Sequence, residues 1–135
     1  MKFFLNILSI CAISSFFGAF QANGNDLDAV ICNAMKGMQA QEEEKIPYKI
    51  GDYELIRLTV DCKRKALITE KKHIENSLSD FAEDYKINSM RNWKTSNCKN
   101  MIFNTNTGWS TTQIIRDVHE NVVLKLEASF EICSQ

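Results

Sequence analysis

The stretch of sequence that decides the fold is Tyr53-Glu54-Leu55-Ile56-Arg57-Leu58-Thr59-Val60-Asp61-Cys62-Lys63-Arg64-Lys65-Ala66-Leu67-Ile68-Thr69. In its first half, polarity alternates from residue to residue, which is typical of a strand with one buried face. The face expected to be buried carries Ile56, Leu58, Val60 and Cys62. Leu55 falls on the opposite face. The charged run Lys63-Arg64-Lys65 then reverses the chain, and residues 66–69 return as the second arm of a β-hairpin.

An amphipathic helix precedes this hairpin. Its apolar residues recur at helical spacing, and they are Leu27, Val30, Ile31, Ala34, Met35 and Met38. Because residues three and four positions apart lie on one face of a helix, we expect this stripe to pack in the core. Pro47 ends the helical segment, and residues 46–52 are expected to form an extended lead-in to the hairpin.

A second helical region follows the hairpin. Ser77 and Asp80 match a capping box, which predicts that a helix begins there. The apolar spacing then slips in phase, which predicts a kink or a break near Lys86. The region ends at Cys98.

The last third of the chain predicts a second hairpin. Residues 109–118 can form a strand, and residues 122–133 alternate almost without interruption. The apolar face of this last strand carries Val122, Leu124, Leu126, Ala128, Phe130 and Ile132. The predicted fold class is therefore α+β. It is a four-stranded, mostly antiparallel sheet of two hairpins, packed by two or three helices in the order α-β-β-α-(α)-β-β.

Residues 1–24 have the features of a secretory signal peptide. A positively charged start precedes an apolar run from Phe3 to Phe20, and small residues at Ala22 and Gly24 favour cleavage after Gly24. An uncleaved anchor is the alternative, because the run is just long enough to span a bilayer. We predict a periplasmic or secreted protein with one disulfide-bonded domain, residues 25–135. Membrane contact is expected only through an uncleaved signal segment.

The composition of the 135-residue chain excludes several classes of protein. With 44% hydrophobic and 24% charged residues, the chain is neither disordered nor a polytopic membrane protein. A formal net charge of -1 gives no overall attraction to polyanions, so no nucleic-acid partner is predicted. No cofactor is predicted, because the sequence carries no cofactor-binding motif.

The cysteines point to disulfides. Cys11 leaves with the signal peptide, and the cysteines that remain are Cys32, Cys62, Cys98 and Cys133. In an oxidising compartment four cysteines favour two disulfides, for which three pairings exist. A metal site is not predicted, since there is no C-x-x-C motif and the two histidines stand at no ligand spacing.

The sequence gives little support for catalysis. The motifs of P-loop enzymes, serine hydrolases and zinc proteases are absent, and paired cysteines leave no thiolate. His119 lies beside Glu120 and two residues after Asp117, so a small hydrolase with His119 as general base is an alternative hypothesis. We assign no catalytic residue.

The candidate binding residues form a locally basic hairpin in a slightly acidic chain. They are Lys63, Arg64, Lys65, Lys71 and Lys72, and His73 belongs to the same basic hairpin. Such a surface can meet an anionic lipid, a glycan or an acidic protein, although lysines also protect edge strands from aggregation. Trp109 is a further candidate, as an exposed aromatic anchor, whereas Trp93 is expected mostly in the core.

The pattern of elements and residues resembles a group of small exported bacterial proteins without a settled function. In that group an N-terminal helix leads to a strand hairpin, a helical segment with a cysteine, and a closing hairpin that ends in a cysteine. The residues that carry the resemblance are Ile46-Pro47-Tyr48-Lys49-Ile50-Gly51-Asp52, Cys98, Gly108, Arg116-Asp117 and Cys133. The resemblance covers most of the domain.

This chain departs from the group at two places. Asn121 stands where a turn glycine is usual, and Cys32 and Cys62 are an additional pair. The resemblance implies a Cys98–Cys133 bridge, which leaves Cys32–Cys62 as the second one.

We therefore predict a non-enzymatic exported protein that acts through a protein–protein interface. Envelope assembly factors and immunity or inhibitor proteins are examples of this class. A small periplasmic or secreted hydrolase and a secreted virulence factor are the alternatives. The expected partner is another protein.

Overall fold

The computed structural model describes residues 24–135, so the predicted signal segment lies outside the described residues, apart from Gly24. The helices are α1 (Gly24–Glu43), α2 (Glu83–Asn97), α3 (Met101–Asn104) and α4 (Phe130–Cys133). The strands are β1 (Tyr48–Ile50), β2 (Tyr53–Asp61), β3 (Ala66–His73), β4 (Ser110–Arg116) and β5 (Val122–Ala128). Among these residues, no helix is long and apolar enough to cross a membrane.

The described strands form one five-stranded sheet in the order β1-β2-β3-β4-β5. All neighbouring strands are antiparallel except β3 and β4, which are parallel at the centre. The α+β class and the two hairpins, β2–β3 and β4–β5, are thus confirmed. The predicted numbers of four strands and of two or three helices are both too low, because the described residues form five strands and four helices.

The additional strand is β1, which lies within the expected extended lead-in. Gly51 adopts a φ of 59°, a conformation that glycine reaches without a Cβ clash, and the chain reverses there. Tyr48 consequently pairs with Leu55, and Ile50 pairs with Tyr53. Three residues are too few to show a strand period in sequence, which explains why this strand was not predicted.

A β-bulge changes which residues of β2 are buried. The register between β2 and β3 shifts between Leu55 and Arg57, so the inserted residue is Ile56. Leu55 therefore points to the same face as Leu58 and is buried. The expected assignment of Leu55 to the polar face is wrong, because strict alternation does not survive an inserted residue.

The second helical region begins later than the sequence indicates. The Ser77 backbone N–H donates to the Asp80 carboxylate at 2.7 Å, but this box caps only a short 3-10 turn, Leu78–Asp80. Residues 81 and 82 are extended, and α2 begins at Glu83. The break therefore precedes α2, and the helix passes through Lys86 without interruption.

The last strand is shorter than expected. It ends at Ala128, because the Ser129 hydroxyl accepts the Ile132 N–H and starts α4. A second register shift in the β4–β5 pair leaves Val122 exposed and Val123 buried, which reverses the expected sides of these two valines.

Two apolar clusters cover one face of the sheet. In the first, α1 packs on β2 and β3, with fully or largely buried Ile31, Met35, Leu58, Val60, Leu67, Ile102, Phe103 and Trp109. In the second, Tyr85 and Trp93 of α2 pack against Phe81, Ile115, Val123 and Leu126. Trp109 is only 1% exposed, so the prediction of an exposed aromatic anchor is wrong. Its ring fills the space beneath α1 and α3 instead.

Two disulfides hold the helices to the rest of the domain. Cys32–Cys62 joins α1 to the end of β2, with Cα atoms 5.5 Å apart. Cys98–Cys133 joins the end of α2 to α4, with Cα atoms 5.3 Å apart. These are the two pairs that the resemblance implies.

We expect the double substitution Cys32→Ser with Cys62→Ser to lower the free energy of unfolding by about 3–4 kcal/mol. The bridge closes a loop of 30 residues and so restricts the unfolded chain. Urea denaturation followed by tryptophan fluorescence measures the change. An unfolding free energy equal to that of the wild type would contradict this prediction.

Candidate functional site

A cleft lies between the two helices that cover the sheet. Helix α1 packs on β2, and α2 packs on β5. Between the helices, Thr69 of β3 and Gln113 of β4 are only partly buried, whereas Leu67 and Ile115 on the same face are buried. The cleft arises because both helices pack on the same face of the sheet, one toward each of its two edges.

The floor of the cleft combines apolar and uncharged polar side chains. Leu55, Leu58 and Leu67 come from β2 and β3. Thr69, Thr111 and Gln113 come from the parallel pair β3–β4. Thr69 and Gln113 keep part of their surface in contact with solvent, whereas Thr111 is 2% exposed.

The two walls come from different parts of the chain. Met38, Glu42 and Tyr48 form one wall at the end of α1 and in β1. The other wall is made by the end of α2 and the residues after it, namely Trp93, Ser96, Asn97, Lys99, Asn100 and Phe103. Since Cys98 lies within this second wall, the Cys98–Cys133 bridge fixes its position.

The lining of the cleft contains one acidic residue, Glu42, which is already paired, and one basic residue, Lys99, on the opposite wall. On the α1 side, the Tyr48 hydroxyl donates to the Glu42 carboxylate at 2.7 Å, and Lys45 approaches the same carboxylate at 3.3 Å. Burial, followed by the hydrogen bond to Glu42 and its negative charge, raises the pKa of Tyr48 to about 12. On the α2 side, the charged residue is Lys99.

The size of the cleft limits what it can hold. Its volume is about 200 Å³. Sites for drug-sized ligands usually measure about 300–1,000 Å³, so this cleft is small for a complete organic ligand. It suits a few apolar side chains that project from the surface of another protein.

The structure separates the predicted basic residues into two groups. Lys63 and Arg64 are exposed in the β2–β3 turn, where Arg64 lies 3.7 Å from Asp61. Lys65 is bound to Asp28 of α1 at 2.7 Å. Nearby carboxylates thus neutralise much of the positive charge of this turn.

Lys71 and Lys72 lie near the other end of β3, whereas His73 is buried there and its Nδ1 accepts the Glu75 and Asn76 N–H groups, so it is not part of a basic surface. The Lys71 ammonium sits 4.2 Å from the centre of the Tyr53 ring, and burial lowers the pKa of this lysine. Lys72 points to the opposite face and pairs across the strands with Glu54. Because β3 is extended, these lysines are not brought together with Lys63 and Arg64 into one patch. None of these basic residues lines the cleft.

The proposed general base His119 has no catalytic geometry among the described residues. It is exposed, and its backbone N–H, rather than its ring, donates to Asp117 at 2.9 Å. Asp117 is 0% exposed and also accepts hydrogen bonds from the Leu78 N–H and from the Asn121 backbone and side chain. This carboxylate therefore organises the β4–β5 turn.

The cleft was not predicted from the sequence. Its residues are spread over seven elements and are ordinary in composition. The nearest sequence signal is the threonine and glutamine content of β4, which is polar on a face that an α+β sheet would normally bury. Only the pairing of β3 with β4 shows that these residues lie side by side.

Comparison with known proteins supports the fold. No protein-family model and no curated protein matches the sequence. Among solved structures, the chain is similar to the pilotin AspS of the type II secretion system from Vibrio cholerae. The TM-score is 0.55 at 11% sequence identity, and the alignment covers 81% of this chain and 97% of that chain. The two proteins share a fold.

We expect Asp117→Asn to lower the melting temperature at neutral pH, since an amide cannot replace both acceptor oxygens. Burial by itself raises the pKa of Asp117, but the hydrogen bonds from Asn121, His119 and Leu78 lower it below its usual value. The stabilisation is therefore complete above the unfolded value near 3.8 and is lost as pH falls through the folded pKa.

Thermal unfolding at several pH values tests this expectation. The difference between wild type and Asp117→Asn should shrink below about pH 4. Glu120→Gln, an exposed carboxylate in the same turn, is the matched control and should leave the melting temperature unchanged. A deficit for Asp117→Asn that is constant with pH would contradict the assignment.

Proposed function

We propose that this protein is an exported, non-enzymatic assembly factor of the bacterial envelope that docks a partner protein in the cleft between α1 and α2. The cleft is the observation that carries the proposal. It offers an apolar floor of leucines, uncharged polar groups and a volume that suits side chains of a partner.

The charges on the walls define the chemistry of the partner. The segment that enters the cleft carries apolar side chains at its centre. It carries an acidic residue on the side of Lys99, whereas Glu42 on the other wall is already paired with Lys45 and the Tyr48 hydroxyl. The acidic residue orients the segment, while burial of the apolar side chains provides most of the affinity.

Two further observations support a role in the envelope. The fold is shared with a pilotin of a type II secretion system. The two disulfides are typical of proteins that fold in an oxidising compartment outside the cytoplasm. An immunity or inhibitor protein would also use a docking cleft, and the identity of the captured partner distinguishes these roles.

Site-specific photo-crosslinking in the native host tests the proposal. A photoreactive amino acid at Ser96, on the rim of the cleft, should form a discrete adduct with one envelope protein. The same amino acid at the neighbouring exposed Thr95, which does not line the cleft, is the control and should not form it.

Filling the cleft should abolish this adduct. We expect Gln113→Trp to reduce partner binding at least about tenfold, since an indole would occupy the space used by the partner. Thr112→Trp places the same group on the opposite face of β4 and should leave binding unchanged. Circular dichroism and the melting temperature establish that both variants fold.

Two results would overturn the docking site. One is an adduct that persists in folded Gln113→Trp. The other is an adduct that forms equally well from Ser96 and Thr95. Loss of the adduct in Thr112→Trp alone would move the interface to the opposite face of the sheet.

A further inference from the structure

The outer edge of β5 is separate from the cleft. The directions of the hydrogen bonds in the sheet show which backbone groups of β5 are unpaired at this edge. The Ser110 N–H donates to the Lys65 carbonyl at 2.9 Å, so the backbone N–H and C=O groups of the even-numbered residues of β4 point toward β3. The backbone groups of its odd-numbered residues therefore point toward β5, where Gln113 pairs with Leu126. In β5 the even-numbered residues thus bond to β4.

The odd-numbered residues Lys125 and Glu127 consequently point their backbone N–H and C=O groups outward. Both residues are exposed, and within residues 24–135 no strand pairs with this edge. Their side chains lie on the sheet face opposite the cleft, with the Lys125 ammonium 2.6 Å from the Glu127 carboxylate. The edge thus presents unpaired backbone groups beneath a positive and a negative side chain.

The sequence of this edge is complementary to itself. Two copies of β5 can pair as antiparallel strands about a two-fold axis, and outward-facing residues must then oppose each other. If the axis passes through Lys125, the two Lys125 ammonium groups lie directly opposite each other and repel. If it passes through Glu127, the two Glu127 carboxylates do the same. Only an axis at Leu126 places Lys125 of each copy opposite Glu127 of the other.

Apolar residues beside this edge support the same arrangement. Helix α2 packs on β5, and two of its apolar residues, Ile87 and Met90, are 42% and 48% exposed. Val122, at the start of β5, is 52% exposed.

The opposite edge of the sheet is less suited to pairing. Strand β1 has only three residues and offers few backbone groups to a partner. Beyond β1, the outer edge of β2 is partly capped by α1, since the Val60 N–H donates to the Gln39 side chain at 3.1 Å. The seven-residue β5 is therefore the edge on which strand pairing can extend the sheet.

We propose that the outer edge of β5 binds a second copy of this chain, in an antiparallel pair centred on Leu126, to give one continuous sheet through both protomers. Lys125 of one copy and Glu127 of the other then form two backbone hydrogen bonds, and their side chains form an ion pair. The cleft of each copy stays open, because it lies on the other side of α2 from this edge.

Sedimentation equilibrium of the exported protein should show a concentration-dependent monomer–dimer equilibrium below about 1 mM. Lys125→Glu or Glu127→Lys opposes like charges at both symmetric positions, and each should weaken dimerisation about tenfold. The double variant Lys125→Glu with Glu127→Lys restores opposite charges and should return the dissociation constant to the wild-type range.

Lys49→Glu makes the same charge change on β1 and is the matched control, with no expected effect on dimerisation. Hydrogen exchange should show that the Lys125 and Glu127 amides become protected as concentration rises. A wild-type protein that stays monomeric up to about 1 mM overturns the proposal. A dimer that tolerates both single charge reversals, or a double variant that fails to recover, also overturns it.

Discussion

The parallel pairing of β3 with β4 is the constraint on which the rest of the structure depends. Two antiparallel hairpins could be joined by a short turn, but parallel neighbours need a connection that returns to the same end of the sheet. Residues 74–109 make this crossover and contain α2 and α3. The crossover carries α2 to the outer strand β5, while α1 covers β2, and the cleft between them follows from this placement.

Few buried side chains hold the crossover in place, so its position depends on a small number of polar and covalent contacts. No residue of α2 is fully buried. Asp117 accepts the Leu78 N–H at the start of the crossover, and Cys98–Cys133 attaches its end to α4. These polar and covalent contacts set the position of the second cleft wall. The wall carries Trp93, whose buried indole N–H has no hydrogen-bond partner in the described structure.

The two proposed interfaces use different physical features. The cleft lies on the helical side and offers apolar floor residues with the ammonium group of Lys99 on one wall. The β5 edge offers unpaired backbone groups and the alternation of Lys125 and Glu127. Since α2 separates the two surfaces, one protomer can engage a partner protein and a second copy at the same time.

The sequence by itself determined the α+β class, both hairpins and the buried positions Ile31 and Met35 of α1, because periodicity and turn residues report local conformation. The expectation that the whole apolar stripe of α1 packs in the core is wrong at Val30, which is 48% exposed. Tertiary structure alone decided the features that depend on non-local pairing. Strand β1 is too short to show a period, and an inserted residue at Ile56 moved Leu55 into the core. Trp109 is buried because α1 and α3 cover it, and polar Thr111 and Gln113 became a cleft floor only because β4 lies beside β3. Which strands become neighbours is set by long-range contacts, and no local pattern records them.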